Sequence, residues 1–158
     1  MKLLRIWIAV VFNLALCPLY ASAAGDAIDV VLPGVETHFS LSQLRSKLKT
    51  ISVTIDDPDY KMTKTFEGFL LVDLLKEAGL SDASPGDEVV FIARDGYSPN
   101  TSFDMIRAHR AIVAFREKGK SSFDKLRQGK AMVSPAQYYL VWEGARSWQT
   151  KSPGPTNW

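Results

Sequence analysis

Hydrophobic and polar positions alternate along short stretches of this chain, and the period changes several times. From Thr50 to Ile55, Ile51, Val53 and Ile55 point one way and Ser52 and Thr54 the other, which predicts a half-buried strand. Asp56-Asp57-Pro58-Asp59 stops it, and Lys61–Phe66 follows as a partner strand. After Gly68 the period becomes helical. Leu70, Leu71, Leu74, Leu75 and Ala78 recur on one face, Asp73, Lys76 and Glu77 occupy the other, and Gly79 stands at the C-terminal cap position.

Other segments read in the same way. Ile28–Leu32 predicts a strand ended by Pro33-Gly34. Ser40 or Ser42 caps a short helix carrying Leu41, Leu44 and Leu48, and Ser102 caps another running to Ala108. Glu88–Ala93 is dense in Val, Phe and Ile, which predicts a central strand buried on both faces. Ala111–Phe115 and Tyr138–Trp142 are further strands, and Gly119–Gly129 reads as a loop or irregular helix. Strands and short helices alternate without a repeat, so the expectation is an α+β domain with a mixed β-sheet.

The start of the chain adds a compartment. Lys2 and Arg5 precede a largely apolar run, Ile6–Leu19, and Ala21-Ser22-Ala23 supplies a small-residue cleavage site. This is the layout of a secretory signal peptide. The expectation is residues 1–23 as signal peptide, residues 24–158 as a single domain, and a periplasmic or secreted location. The run is too short for a span of about 20 apolar residues, so no stable membrane span is expected after cleavage. Cys17, the only cysteine, lies in the signal segment between Leu16 and Pro18. The remaining chain therefore has no thiol for a disulfide, a thiolate metal site or a nucleophile. Without Lys2 and Arg5, the 19 basic residues fall to 17, equal to the 17 acidic ones. No nucleic-acid partner is expected of so balanced a charge.

Motifs exclude more than they assign. There is no glycine-rich phosphate loop, no H-E-x-x-H and no G-x-S-x-G. Three groups carry candidate chemistry. The carboxylates of Asp56, Asp57 and Asp59 could together hold a hard cation, but Asp and Pro also build turns, and the turn is the expectation. Arg94-Asp95-Gly96-Tyr97 follows a strand, with an arginine to meet an anion and a tyrosine to bond or stack; a structural turn is the competing reading. Arg107, His109 and Arg110 bring two guanidinium forks and an imidazole suited to phosphate, or else hydrated surface groups. The aromatics Tyr138, Tyr139, Trp142 and Trp148 read as core and rim packing.

Across residues 40–145 these pieces take a familiar order. A leucine helix precedes the strand Thr50–Ile55. Phe66-Glu67-Gly68, the helix Leu70–Gly79, the strand Val89–Ala93, Asp95-Gly96-Tyr97 and the strand Ala111–Phe115 follow. This order resembles the oxidoreductase molybdopterin-binding domain family of the sulfite oxidase superfamily. The resemblance implies that family's α+β fold and a molybdopterin cofactor. In catalytic members a cysteine thiolate ligates molybdenum near the end of the strand before the glycine–leucine helix. The corresponding stretch here, Ser52–Asp57, has no cysteine, so thiolate-ligated molybdenum is not expected. Arg94, Arg107, His109 and Arg110 are the donors offered for a pterin pyrophosphate, and Asp95 and Tyr97 complete the cofactor-binding group. The function expected is a non-catalytic ligand-binding or accessory module of periplasmic redox chemistry, with a redox protein as partner. The alternatives are a pterin-dependent oxidoreductase without cysteine ligation, and a protein-interaction module using Trp142, Trp148 and the Pro-Gly-Pro tail.

Overall fold

A computed structural model describes residues 27–143, except Asp82, Pro85, Arg94 and Asp95 and the side chain of Gln128. The expected signal segment, Trp148 and the Pro-Gly-Pro tail lie outside the described residues.

The chain is α+β, mostly strands with three short helices among the described residues. β1 (Ala27–Leu32) and β2 (Val35–Ser40) form a hairpin that leads into α1 (Leu41–Lys47). β3 (Ile51–Asp57) and β4 (Met62–Leu70) form a second hairpin, followed by α2 (Leu71–Glu77). β5 (Glu88–Val90), β6 (Asn100–Ser102) and α3 (Phe103–Ala108) precede β7 (Ala111–Glu117). β8 (Leu126–Gln128), β9 (Ala131–Val133) and β10 (Tyr139–Trp142) complete the order.

The main sheet runs β10-β7-β4-β3. The sequence predicted a mixed sheet, but every described pairing is antiparallel. Glu88–Ala93 is a second correction. Its strand is three residues long, half-buried, and belongs to a separate two-stranded sheet with β6. An apolar run cannot by itself distinguish a central strand from a hairpin packed against the domain. The loop expected after Gly119 contains the β8–β9 hairpin, whose three-residue strands are too short to show a period.

Local chemistry explains the helices. Ser40 and Gln43 form a reciprocal capping box at the start of α1. Ser102 caps α3 by accepting from the Met105 amide. α2 has no side-chain cap at its N-terminus; Leu71, Leu74 and Leu75 hold it by burial. Its end is a Schellman turn. The Leu80 amide reaches the Leu75 carbonyl, and Gly79 takes φ +105°.

The inner strands of the main sheet are buried on both faces. On one, Phe69, Val113, Phe115, Leu140 and Trp142 meet Val30, Phe39, Leu44, the α2 leucines, Phe103 and Ile106. On the other, Val53, Phe66, Ile112, Ala114, Tyr139 and Val141 pack under Tyr60 and Phe123. The second face carries the polar cluster described next.

Candidate functional site

Four strand ends meet at one margin of the second face. Antiparallel pairing brings the end of β3, the start of β4, the end of β7 and the start of β10 to the same side of the sheet. These ends deliver Asp57, Lys64, Glu117 and Tyr139.

Glu117 reaches this face through an irregularity. Strict alternation would put it with Val113 and Phe115 on the opposite face. Instead β7 carries a bulge. Glu67 pairs with Arg116 but Gly68 pairs with Ala114, which leaves Phe115 as the extra residue. Beyond the bulge Glu117 pairs with Phe66 and shares its face. Gly68 makes this possible, because a Cβ there would stand 2.3 Å from the Val113 carbonyl oxygen and 2.6 Å from the Ala114 Cα.

Lys64 is the buried cation of the cluster. Its Nζ donates to Glu117 Oε2 at 2.8 Å and Asp124 Oδ2 at 2.6 Å, and it lies 4.3 Å from the centre of the Tyr60 ring. Burial pushes the Lys64 pKa down, but the bonds to Asp124 and Glu117 outweigh it and leave it above the usual lysine value. Burial likewise pushes Glu117 up, and its bonds from Lys64, the Asp124 amide and Lys120 hold it below the ordinary carboxylate value. Asp124 is held down to about 2 by its bonds from Lys120 and Lys64. Two ammonium groups thus face two carboxylates. The Tyr60 hydroxyl donates to the Asp124 carbonyl at 2.7 Å. Together these bonds tie the segment after β7 over the sheet.

Asp57 is buried beside this network. It accepts from the amides of Asp59 and Tyr60 at 2.9 and 3.0 Å, and from the Tyr139 hydroxyl at 2.9 Å. The Asp-Pro-Asp segment is therefore a turn, as its residue types predicted. Burial raises the Asp57 pKa more than these bonds lower it. Asp59 is raised by burial and by the charge of Asp57. Tyr139 is raised by burial and the same carboxylates, so its phenol stays a donor. Among the described residues no group of His, Cys, Asp or Glu is arranged to hold a metal ion.

The residues singled out for a pterin lie elsewhere. Arg94 and Asp95 are outside the described residues. Gly96 takes φ +85°, and Tyr97 is exposed where the β5–β6 hairpin turns, its carbonyl accepting from the Ala93 amide. That turn is at the opposite end of the hairpin from Ser102, where α3 begins. Arg107 is exposed on the last turn of α3, and His109 caps the helix. Arg110 leaves the helix with φ +42°, so the helical spacing from Arg107 is lost. Its guanidinium donates to Glu143 at 2.5 Å, and the Glu143 amide donates to the His109 carbonyl. His109 and Arg110 thus converge on Glu143.

Sequence reasoning missed the ties of Lys64 to Glu117 and Asp124 and the bond from Tyr139 to Asp57. The signal available was a lysine in phase with Phe66 on an otherwise apolar strand face. Tyr138, Tyr139 and Trp142 are core, as expected, so Trp142 offers no surface for the interaction reading. No helix among the described residues is long and apolar enough to cross a membrane. No protein-family model matches the chain, and no curated protein matches it.

Proposed function

We propose that the protein is an exported, molybdopterin-domain-like accessory module that binds a ligand or a periplasmic redox partner without thiolate-based catalysis. The reading rests on the family-like order of segments and on the end of β3, where that order puts the ligating thiol. Two carboxylates stand there, and both are engaged. Asp56 accepts from the Thr63 hydroxyl, and Asp57 is held by Tyr139 and the turn amides. Hard, hydrogen-bonded oxygens do not fit a molybdenum centre built on a soft sulfur ligand.

Arg94, Arg107, His109 and Arg110 remain the residues offered to an anionic ligand, with Asp95 and Tyr97 in the same cofactor-binding proposal. Such a ligand would have to displace Glu143 from Arg110. That competition favours the accessory role over an oxidoreductase that retains pterin through the same arginines.

The test is analysis of the protein purified from its own periplasm for molybdenum and pterin, with sulfite and sulfoxide turnover measured on the same sample. The expected result is neither group at stoichiometric level and no turnover. One molybdenum per chain with pterin and activity would overturn the proposal.

A further inference from the structure

We infer that β3 is a self-pairing edge: two copies of this chain join antiparallel through it, about a two-fold axis at Val53, and extend the four-stranded sheet to eight strands.

β3 is the outer strand of the main sheet, and among the described residues only β4 pairs with it. Its outer row of backbone amides and carbonyls is a template for another strand. Proteins usually blunt such an edge with proline, lysine, a bulge or an inward charge. Ile51–Ile55 carries none of these; the one inward charge of β3, Asp57, stands at its last position, before Pro58.

The occupant follows from the order of side chains. Ile51-Ser52-Val53-Thr54-Ile55 reads nearly the same in both directions. In an antiparallel pair centred on Val53, Ile51 faces the second copy's Ile55, Ser52 faces its Thr54, and Val53 faces Val53. β-branched pairs and hydroxyl pairs are favourable cross-strand neighbours. Each falls on the right side of the sheet. Val53 is buried and Ile51 and Ile55 are half-buried on the apolar face, while Ser52 and Thr54 are exposed on the other. Pairing would cover the half-exposed flanks of both isoleucines. Thr54 already bonds Thr65 on β4 at 2.8 Å, so the hydroxyl row would continue across the axis.

Charge selects the antiparallel direction. Lys49, exposed, precedes β3, and the exposed carboxylate near its end is Asp56. Antiparallel pairing sets the basic entry of one copy beside the acidic exit of the other, whereas parallel pairing sets like beside like. One strand contact is small for a specific interface, so the dimer should be reversible and populate as concentration rises.

Sedimentation velocity on the mature chain from roughly 5 to 500 µM tests this. Wild type should shift from monomer to dimer, and amide exchange at residues 51–55 should slow over the same range. S52K/T54K puts lysine opposite lysine twice and should weaken the dimer about tenfold or more. S52K/T54E puts opposite charges face to face in this register alone and should restore it. Circular dichroism checks that both variants are folded. A wild type that stays monomeric with concentration-independent exchange overturns the inference. So does a folded S52K/T54K that dimerises like wild type, or a folded S52K/T54E that does not recover.

Discussion

Asp57 lies with its carboxylate under the Tyr139 hydroxyl and over the amides of Asp59 and Tyr60, and burial still raises its pKa above the ordinary 3.8. The folded protein therefore keeps this proton to a higher pH than the unfolded chain does. The resulting contribution to stability is complete below the ordinary carboxylate value and is lost as pH rises through the raised one. Glu117 and Asp124 act in the opposite sense. Their contributions are present above the ordinary value and lost as pH falls, towards about 2 for Asp124, whose half-exposed side chain makes its share small. Asp57→Asn removes the first effect, together with the rise that the Asp57 charge gives Asp59. The stability of the variant relative to wild type should increase as pH rises from about 4 to 7, by about 1.4 kcal/mol for each unit by which the folded pKa is raised. Urea unfolding of both proteins across that range measures it; a difference that does not change with pH would show Asp57 titrating normally. The turn at Asp56–Asp59 could be read from residue types because its bonds are local. The bond from Tyr139 could not, because strand pairing brings it there from the far end of the chain.

At the scale of elements, the bulge between β4 and β7 does the most to shape the cluster. It turns Glu117 to the face of Lys64 and leaves Phe115 on the opposite face, against Phe69 with ring centres 5.1 Å apart. Gly68 lets the two backbones approach. Gly68→Ala would put a methyl group into the Val113 carbonyl, and backbone cannot move aside as a flexible side-chain end can. The expected loss is about 1–3 kcal/mol, as for overpacked interiors, measured by chemical denaturation. An unchanged midpoint would mean the strands part without cost. Periodicity located β3, β4, α2, β7 and β10 to within a few residues, since each buries a repeating set of side chains. It extended no strand past a bulge, because an inserted residue breaks the period on which the reading depends.

For the whole molecule, burial on both faces concentrates stability in the middle of the main sheet. β4 and β7 are each paired on both sides and carry both apolar clusters, while β5–β6 and β8–β9 are two-stranded hairpins at the periphery. Amide exchange should be slowest in β4 and β7, by orders of magnitude over β8–β9, where Met132 and Val133 are exposed. Equal protection throughout would argue against this arrangement. The ties from Lys64 to Glu117 and Asp124 belong to this scale as well, since they join the sheet to the segment that covers its second face.

The order of residues alone determined the α+β class, the caps of the short helices, the Asp-Pro-Asp turn, most of the main strands and the lack of a thiol beyond Cys17. Each of these depends on neighbours in the chain or on composition. Tertiary structure decided that the sheet is antiparallel, that Glu88–Val90 is peripheral, and that Lys64, Glu117, Asp124 and Tyr139 meet at one margin. Those outcomes depend on which strands pair and in what register. Backbone hydrogen bonds, the same for every residue type, set that register only once the apolar faces have found each other.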